Sequence, residues 1–172
     1  ANALRGEPAG TTLTAVVVSG NRLTVTHAGD SRAYRVRNDE VEQLTEDHNL
    51  AAMQLRAGRI DSRGYLASPH RKVLYEFLGQ DNGVQPQRIE AEVEPGDVLV
   101  LCTDGVWGHI DRERLAWAGR EPDPRLAADT LVADALDAGS GDNCSAVVVQ
   151  LHRIGKRDRM SATRILRESE LF

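Results

Sequence analysis

The sequence predicts a mixed α/β fold (α+β) in which an antiparallel meander of strands comes first and helices follow. Three observations indicate it: short β-like runs alternate with turn residues over residues 11–44, an apolar run of strand length covers residues 98–102, and an apolar stripe at helical spacing covers residues 126–138. Strands that follow one another across tight turns pair antiparallel, so the first quarter of the chain is expected to consist of hairpins.

The meander is predicted from the turn residues that punctuate it. Residues 11–19 and 22–28 are expected to form a hairpin across the Gly-Asn turn at 20–21. Gly29 and Asp30 break the second run, and β-like residues resume at 32–36. The next strand of the meander is then expected at 41–44, after a polar turn.

The middle of the chain is predicted as one helix followed by a long loop. Thr45 and the acidic residues after it are typical of a helix start, and Gly58 is expected to end that helix. Residues 61–71 contain a glycine, a proline and several charges with few regular apolar positions, which favours a long loop. The buried positions of the helix are expected to be Leu50, Met53 and Leu55.

The second half of the chain is predicted to alternate strands with helices. Residues 73–78 are ambiguous, whereas the run at 98–102 is rich enough in β-branched residues to be a strand buried on both faces. The remaining predicted elements are a strand at 89–93, a helical turn at 106–110, a capped helix at 111–117, a helix at 126–138 and a strand at 143–151. The apolar stripe of the helix at 126–138 consists of Leu126, Ala127, Leu131, Val132 and Leu136.

Composition indicates a globular protein of one domain. The chain has 172 residues, of which 41% are hydrophobic and 27% charged, and its net charge of −5 argues against non-specific binding of nucleic acid. No apolar run approaches the ~18 residues of a membrane span. Cys102 and Cys144 lie in strand-like apolar runs, so they are interpreted as buried free thiols of a cytoplasmic protein.

Three aspartates occupy similar positions at the ends of predicted strands. Asp104 follows the run at 98–102, Asp30 follows the run at 22–28, and Asp142 precedes the run at 143–151. Each alone is compatible with an ordinary turn, because Asp-Gly and Gly-Asp are frequent there. Together they predict one acidic cluster at one edge of a sheet, which implies a bound cation or raised pKa values.

These residues stand within a series of short motifs that resembles the metal-dependent serine/threonine protein phosphatases, the PPM or type 2C family. The matching segments follow the family's order from residue 10 to residue 151. They are Gly-Thr-Thr at 10–12, Ala-Gly-Asp-Ser-Arg-Ala at 28–33, Leu-Thr-Glu-Asp-His at 44–48, Leu-Gly at 78–79, Leu-Cys-Thr-Asp-Gly-Val-Trp at 101–107 and Asp-Asn-Cys-Ser at 142–145.

The resemblance implies a four-layer α-β-β-α sandwich of antiparallel sheets flanked by helices. It also implies Mn²⁺ or Mg²⁺ as cofactors, with Asp104 and Asp142 as ligands of one ion. Asp30 resembles the residue that binds a further ion in many bacterial members, although hydrogen bonding within its own turn is a structural alternative. In addition, the resemblance implies a flap beside the active site at residues 61–71.

One departure from the family concerns its first metal-binding part. The family's Asp-Gly-His-Gly-Gly motif, whose aspartate bridges two ions, is found nowhere in these 172 residues. Residues 1–152 are therefore expected to form an incomplete phosphatase-like domain that lacks N-terminal strands and a helix, opening on the last turn of a helix at 1–5. Residues 153–172 are expected to be a charged linker and tail with helical character from residue 161.

Other polar residues carry weaker expectations. His70 and Arg71 are the candidates for contact with substrate, against the alternative of ordinary solvation. His48 is expected to pack and hydrogen-bond within the fold, and Arg32 to fix the turn of Asp30. Neither Ser31 nor Ser145 has a base partner in view, which disfavours a serine hydrolase.

The leading functional hypothesis is a protein serine/threonine phosphatase that uses a metal-activated water. Its implied partner is a phosphorylated protein, the product of a serine/threonine kinase, and self-association through an uncovered sheet edge is a further expectation. The alternative is a non-catalytic phosphatase-like module that binds partners. A metal phosphohydrolase of small phosphoesters is a third hypothesis.

Overall fold

The computed structural model describes residues 9–154 as two antiparallel β-sheets with helices packed on one of them. The strands are β1 (Leu13–Ser19), β2 (Arg22–Ala28), β3 (Arg32–Arg37), β4 (Glu40–Gln43), β5 (Gln87–Glu92), β6 (Val98–Cys102) and β7 (Ala146–Gln150). The helices are α1 (Leu50–Arg56), α2 (Ser62–Ala67), α3 (Asp104–Trp107), α4 (Arg112–Arg120) and α5 (Pro124–Asp137), with a 3-10 helix (Pro69–Lys72) after α2.

The strand order differs from the predicted meander at one point. The hairpins β1–β2 and β3–β4 form as expected, but β2 pairs with β5 and β3 pairs with β6. The sheets therefore have the orders β1-β2-β5 and β4-β3-β6-β7, and the chain crosses between them at residues 29–31. An alternating pattern predicts that a segment is a strand, but it does not say which strand lies beside it.

Strand β6 lies in the middle of the four-stranded sheet. It pairs with β3 on one side and with β7 on the other. Val98, Leu99, Val100 and Cys102 are at most 4% exposed, which confirms the prediction of a strand buried on both faces. One face packs against the other sheet in a cluster formed by Leu23, Val25, Ala33, Val93 and Leu99.

Helices α4 and α5 cover the other face of the four-stranded sheet. Leu115 and Leu131 pack there against Val36 and Val100. The outer face of β1-β2-β5 carries no such layer within residues 9–154, and Val17 on it is 63% exposed. The described residues thus form three of the expected four layers, namely helices, sheet and sheet.

Helix α1 begins later than predicted. Asn49 is its N-cap, and its side chain accepts a hydrogen bond from the N–H of Ala52. Thr45 does not cap the helix, because its hydroxyl accepts instead from the N–H of Ala33 in the sheet. The helix buries Ala51 and Ala52, whereas Met53, expected in the core, is 46% exposed.

The predicted loop at 61–71 is wrong, since this segment contains α2 and the 3-10 helix. The side chain of Asp61 caps α2 by accepting from the N–H of Gly64 at 2.7 Å, and Ser68 caps the 3-10 helix. Both helices are too short to show apolar periodicity, so their caps are the remaining sequence signals.

The C-terminal helices follow the prediction more closely. Asp111 caps α4 as expected. Helix α5 faces the core with Ala127, Leu131 and Ala135, whereas Leu126 and Leu136 of the predicted stripe are 50% and 52% exposed. The pattern had the right period, but the alanines within it lie at the centre of the contact.

Both cysteines are free thiols, Cys102 buried and Cys144 half-buried. None of the helices within residues 9–154 has the length and apolarity needed to cross a membrane. The expectations for residues 1–5 and for the tail beyond residue 154 lie outside the described residues.

Candidate active site

Asp30, Asp104 and Asp142 line one cleft of about 490 Å³. Asp30 lies where the chain leaves β2 and crosses to the other sheet, Asp104 begins α3 directly after β6, and Asp142 lies in the turn before β7. The strand ends that the sequence singled out therefore meet at one place in the fold.

The hydroxyl of Thr103 holds the segments of Asp104 and Asp142 together. It donates to the carbonyl of Asn143 and accepts from the N–H of Ser145, both at 3.0 Å. These bonds tie the end of β6 to the turn that precedes β7 and so fix the spacing of the two segments.

Two glycines allow the backbone to approach closely at this point. A side chain at Gly105 would place its Cβ 2.6 Å from the carbonyl oxygen of Asn143, and one at Gly29 would come within 2.3 Å of Cγ2 of Thr12. Gly29 also has a φ of +111°, which favours glycine. Close packing on both sides of the cleft therefore requires residues without a Cβ.

Trp107 joins the loop of Asp30 to the helix of Asp104. Its indole N–H donates to the carbonyl oxygen of Asp30 at 2.9 Å, and its side chain is almost completely buried. Because Trp107 lies three residues after Asp104, its position is set by the same helical turn. This spacing is the signal in the sequence from which the role of Trp107 could be predicted.

The cleft is electrostatically acidic at Asp30. Burial, and then the charges of Asp104 and Asp47, raise the pKa of Asp30 to about 6, while Arg32 opposes them. A carboxylate in this setting is stabilised by a nearby cation. Oxygen donors of this kind are the ligands that Mg²⁺ and Mn²⁺ prefer, so the donor chemistry fits these ions.

The described aspartates supply part of a ligand set. Within residues 9–154, there is no group of three or more His, Cys, Asp or Glu side chains that could by itself hold a metal ion. Asp142 is exposed, and its Oδ1 accepts from the N–H of Asn143 at 2.8 Å, while Oδ1 of Asp104 accepts from the N–H of Gly105. Waters and carboxylates from outside the described residues would have to complete the coordination of an ion.

Arg32 does not fix the turn of Asp30, contrary to expectation. Its Nε and Nη2 donate to the two carboxylate oxygens of Asp47, each at 2.8 Å, and its guanidinium carbon lies 3.4 Å from the ring centroid of Trp107. This pair is nearly buried. Arg32 therefore packs against Trp107 and is held there by Asp47, a partner fifteen residues away that no local pattern predicts.

Two histidines stabilise the crossing between the sheets. Nδ1 of His48 lies 3.3 Å from the N–H of Gly29, which confirms its structural role. His27, which no sequence motif singles out, is fully buried and bonded to the hydroxyl of Thr14 and the carbonyl of Glu46. Burial, and then the charge of His48, lower the pKa of His27 to about 4.

The two candidates for substrate contact lie in different places. His70 is exposed, bonds to the side chain of Gln54 at 3.2 Å and does not itself line the cleft. Arg71 does line the cleft, together with Lys72 and His109, which the sequence did not single out. The cleft thus combines three aspartates with basic side chains, of which Arg71 and Lys72 lie on the 3-10 helix.

Comparison with known proteins identifies similar sequences. The sequence model of the family described as Protein phosphatase 2C matches residues 2–73. The serine/threonine protein phosphatase PstP of Mycobacterium tuberculosis is 34% identical over 145 residues. This alignment covers 84% of the present chain but 28% of that protein, so the chain spans little more than a quarter of this relative.

Solved structures with the same fold agree with the sequence match. The PPM Ser-Thr phosphatase MsPP from Mycobacterium smegmatis, in complex with cacodylate, has a TM-score of 0.77 at 37% identity, covering 86% of this chain and 66% of that one. The catalytic domain of PstP, in complex with two manganese ions, has a TM-score of 0.72 at 33% identity, covering 81% and 57%.

Proposed function

Because this chain belongs to the protein phosphatase 2C family, we propose that its acidic cleft is part of the active site of a metal-dependent serine/threonine protein phosphatase. The observation that carries the proposal is the meeting of Asp30, Asp104 and Asp142 in one cleft. They come from three separate strand ends, so an accidental turn at one of them does not account for the cluster.

The metal would be Mn²⁺ or Mg²⁺, held by Asp104 and Asp142, with Asp30 at an accessory ion. When bound, such ions neutralise phosphate charge and lower the pKa of a water so that it can attack phosphorus. Asp104 and Asp142 orient their carboxylates from short, hydrogen-bonded turns. Trp107 holds the loop of Asp30 at a fixed distance from the helix of Asp104.

We propose a phosphorylated protein as substrate, the product of a serine/threonine kinase. The acidic balance of the chain, with a net charge of −5, disfavours nucleic acid as partner.

Free thiols favour a reducing compartment, so we place the protein in the cytoplasm. Apolar side chains on the edge strands, with Val17 63% and Val147 55% exposed, support self-association there.

A second candidate function is a phosphatase-like module that binds partners without hydrolysis. The observation that favours it is the incomplete set of metal ligands within residues 9–154. The two functions differ in a measurable way, since only the enzyme turns over a phosphoester.

The experiment compares the native gene product that contains this chain with the 172-residue chain alone. Each is incubated with phosphoserine and phosphothreonine peptides, a phosphotyrosine peptide and p-nitrophenyl phosphate, with manganese and with a chelator. We expect the native product to release phosphate from the first two peptides only when manganese is present. The isolated chain is expected to be weak or inactive, because it lacks the bridging aspartate. If the native product releases no phosphate from any of these compounds in the presence of manganese, the phosphatase is refuted and the binding module is favoured.

A further inference from the structure

Arg71 differs from the other half-buried arginines of this fold. Within the described residues, five arginines are half-buried: Arg32, Arg35, Arg37, Arg71 and Arg114. Four of them pair with the carboxylates of Asp47, Glu42, Asp97 and Asp134. Arg71 is in no ion pair with any residue of the part of the chain that the structure describes.

Most of the donors of Arg71 are unused. Its Nη1 donates to the carbonyl of Leu66 at 3.1 Å, and its buried Nε has no partner among residues 9–154. A guanidinium has five N–H donors, and burying a cation without a counter-charge is unfavourable. The side chain therefore has donors and a positive charge with which to bind an anion, and none of the described residues supplies that anion.

The orientation of Arg71 is fixed by aromatic rings. Its guanidinium carbon lies 4.8 Å from the ring centroid of Trp107 and 5.6 Å from that of Tyr65. Tyr65 is on α2 and Trp107 is on α3, so the stack joins the segment of Arg71 to the helix of Asp104. A stacked guanidinium is pre-organised, so less conformational freedom is lost when it binds a ligand.

We propose that Arg71 contacts the phosphoryl group of the substrate in the cleft that Asp30, Asp104 and Asp142 also line. This inference rests on the proposed function, since it names the residue that recognises the substrate anion at the same site. A guanidinium can donate two parallel hydrogen bonds to a phosphoryl group, which a lysine cannot. Lys72 lines the same cleft and adds a second positive charge.

The test measures phosphate binding separately from turnover. Inorganic phosphate is titrated into the native gene product by calorimetry in saturating magnesium, and KM for p-nitrophenyl phosphate is measured beside it. Arg71→Gln removes the charge and the donors, Arg71→Lys keeps the charge without the planar fork, and Arg63→Gln is the matched control. Arg63 is an exposed arginine on α2 that does not line the cleft and forms no ion pair within residues 9–154.

We expect Arg71→Gln to weaken phosphate binding and raise KM by about tenfold or more, because charge-assisted hydrogen bonds are lost. Arg71→Lys should weaken phosphate binding by about threefold, and Arg63→Gln by less than about twofold. If Arg71→Gln does not fold, the comparison of Arg71→Lys with the control carries the test.

Two further results separate this inference from the proposed function. If the native product shows no turnover but its phosphate binding depends on Arg71, the anion site is supported and the phosphatase is refuted. Metal-dependent turnover with phosphate binding unchanged in both Arg71 variants would retain the phosphatase and overturn the inference. A lower Tm in those variants without any change in phosphate affinity would likewise assign Arg71 a purely structural role.

Discussion

The indole of Trp107 joins the two strand ends that carry Asp30 and Asp104. Its N–H bonds to the backbone of Asp30, while Arg32 and Arg71 both lie against its ring system. The ring thus contacts both the loop of Asp30 and the guanidinium of Arg71. At this scale, the spacing of Asp30 and Asp104 depends on a neutral side chain rather than on the carboxylates themselves.

Replacing Trp107 by Phe tests the hydrogen bond with most of the stacking area retained. We expect the free energy of unfolding to fall by about 1 kcal/mol from the lost bond, since a typical intramolecular hydrogen bond is worth that much. The measurement is urea unfolding of the chain. Trp117→Phe is the control, because Trp117 stacks on Arg114 and its indole N–H has no bond within residues 9–154. Equal losses in the two variants would show that the bond to Asp30 contributes nothing.

Single residues of the site could be predicted where the signal was local. The strand-end aspartates were found because each stands beside a glycine or a turn at the end of an apolar run. The pairing of Arg32 with Asp47 and the stacking of Arg71 could not be predicted, because both partners are distant in sequence. Such contacts depend on the arrangement of whole elements, which a periodic pattern does not encode.

Among the elements, the crossing between β2 and β3 decides the position of Asp30. Gly29 lies in this crossing with a positive φ, its N–H is hydrogen-bonded to His48, and Thr12 packs directly against its Cα. The sequence predicted a break at this point but assigned both strands to one sheet. It could not distinguish a hairpin from a crossing, because both need a glycine and a polar residue.

Gly29→Ala is expected to lower the free energy of unfolding by about 3 kcal/mol, since strain from a positive φ adds to a steric clash. Gly58→Ala is the matched control. Gly58 also has a positive φ, but no atom lies within 4 Å of the added Cβ, so a loss of about 1 kcal/mol is expected. Chemical denaturation of both variants gives the comparison. A cost at Gly29 no larger than at Gly58 would contradict the close packing of the crossing.

The segment of α2 and the 3-10 helix could not be predicted as helical from the sequence. Its loop prediction failed because two helices of four to six residues have no apolar period to detect. Its placement beside the cleft, implied by the family resemblance, agrees with the position of Arg71 and Lys72. Tertiary contacts of Tyr65 with the buried Asp47 hold the segment, and those contacts have no local signature.

For the whole molecule, buried histidine links stability to pH. The pKa of His27 is about 4 in the folded chain, below its ordinary value of 6.5, and the pKa of His48 is lowered as well. As pH falls from 6.5 to 4, the unfolded chain therefore takes up a proton at His27 before the folded chain does. Protonation of His27 therefore lowers the free energy of unfolding between pH 6.5 and pH 4. Below pH 4 both states carry the proton, so His27 lowers it no further.

We expect His27 to contribute a loss of about 3 kcal/mol in unfolding free energy between pH 7 and pH 4. Urea unfolding at pH 7, 5.5 and 4 measures it in wild type and in His27→Gln. The variant should lose less stability on acidification than wild type, whereas His70→Gln, at an exposed site, should follow wild type. Parallel pH profiles for wild type and His27→Gln would contradict the assignment.

The central claim for the molecule is that its acidic cleft supports metal-dependent phosphate hydrolysis. Asp111→Asn is the matched control for substitutions there, because Asp111 caps α4 outside the cleft and asparagine caps a helix as well as aspartate does. Asp30→Asn should reduce turnover less than Asp104→Asn, because the ion proposed at Asp30 is accessory.

The most direct measurement is manganese-dependent hydrolysis of p-nitrophenyl phosphate by the native gene product carrying Asp104→Asn. We expect kcat/KM to fall by at least about a hundredfold with the fold retained, since the variant weakens a ligand of the ion that activates the water. The Asp111→Asn protein should keep wild-type turnover. Robust manganese-dependent turnover that survives Asp104→Asn would contradict the metal-centred account of this cleft.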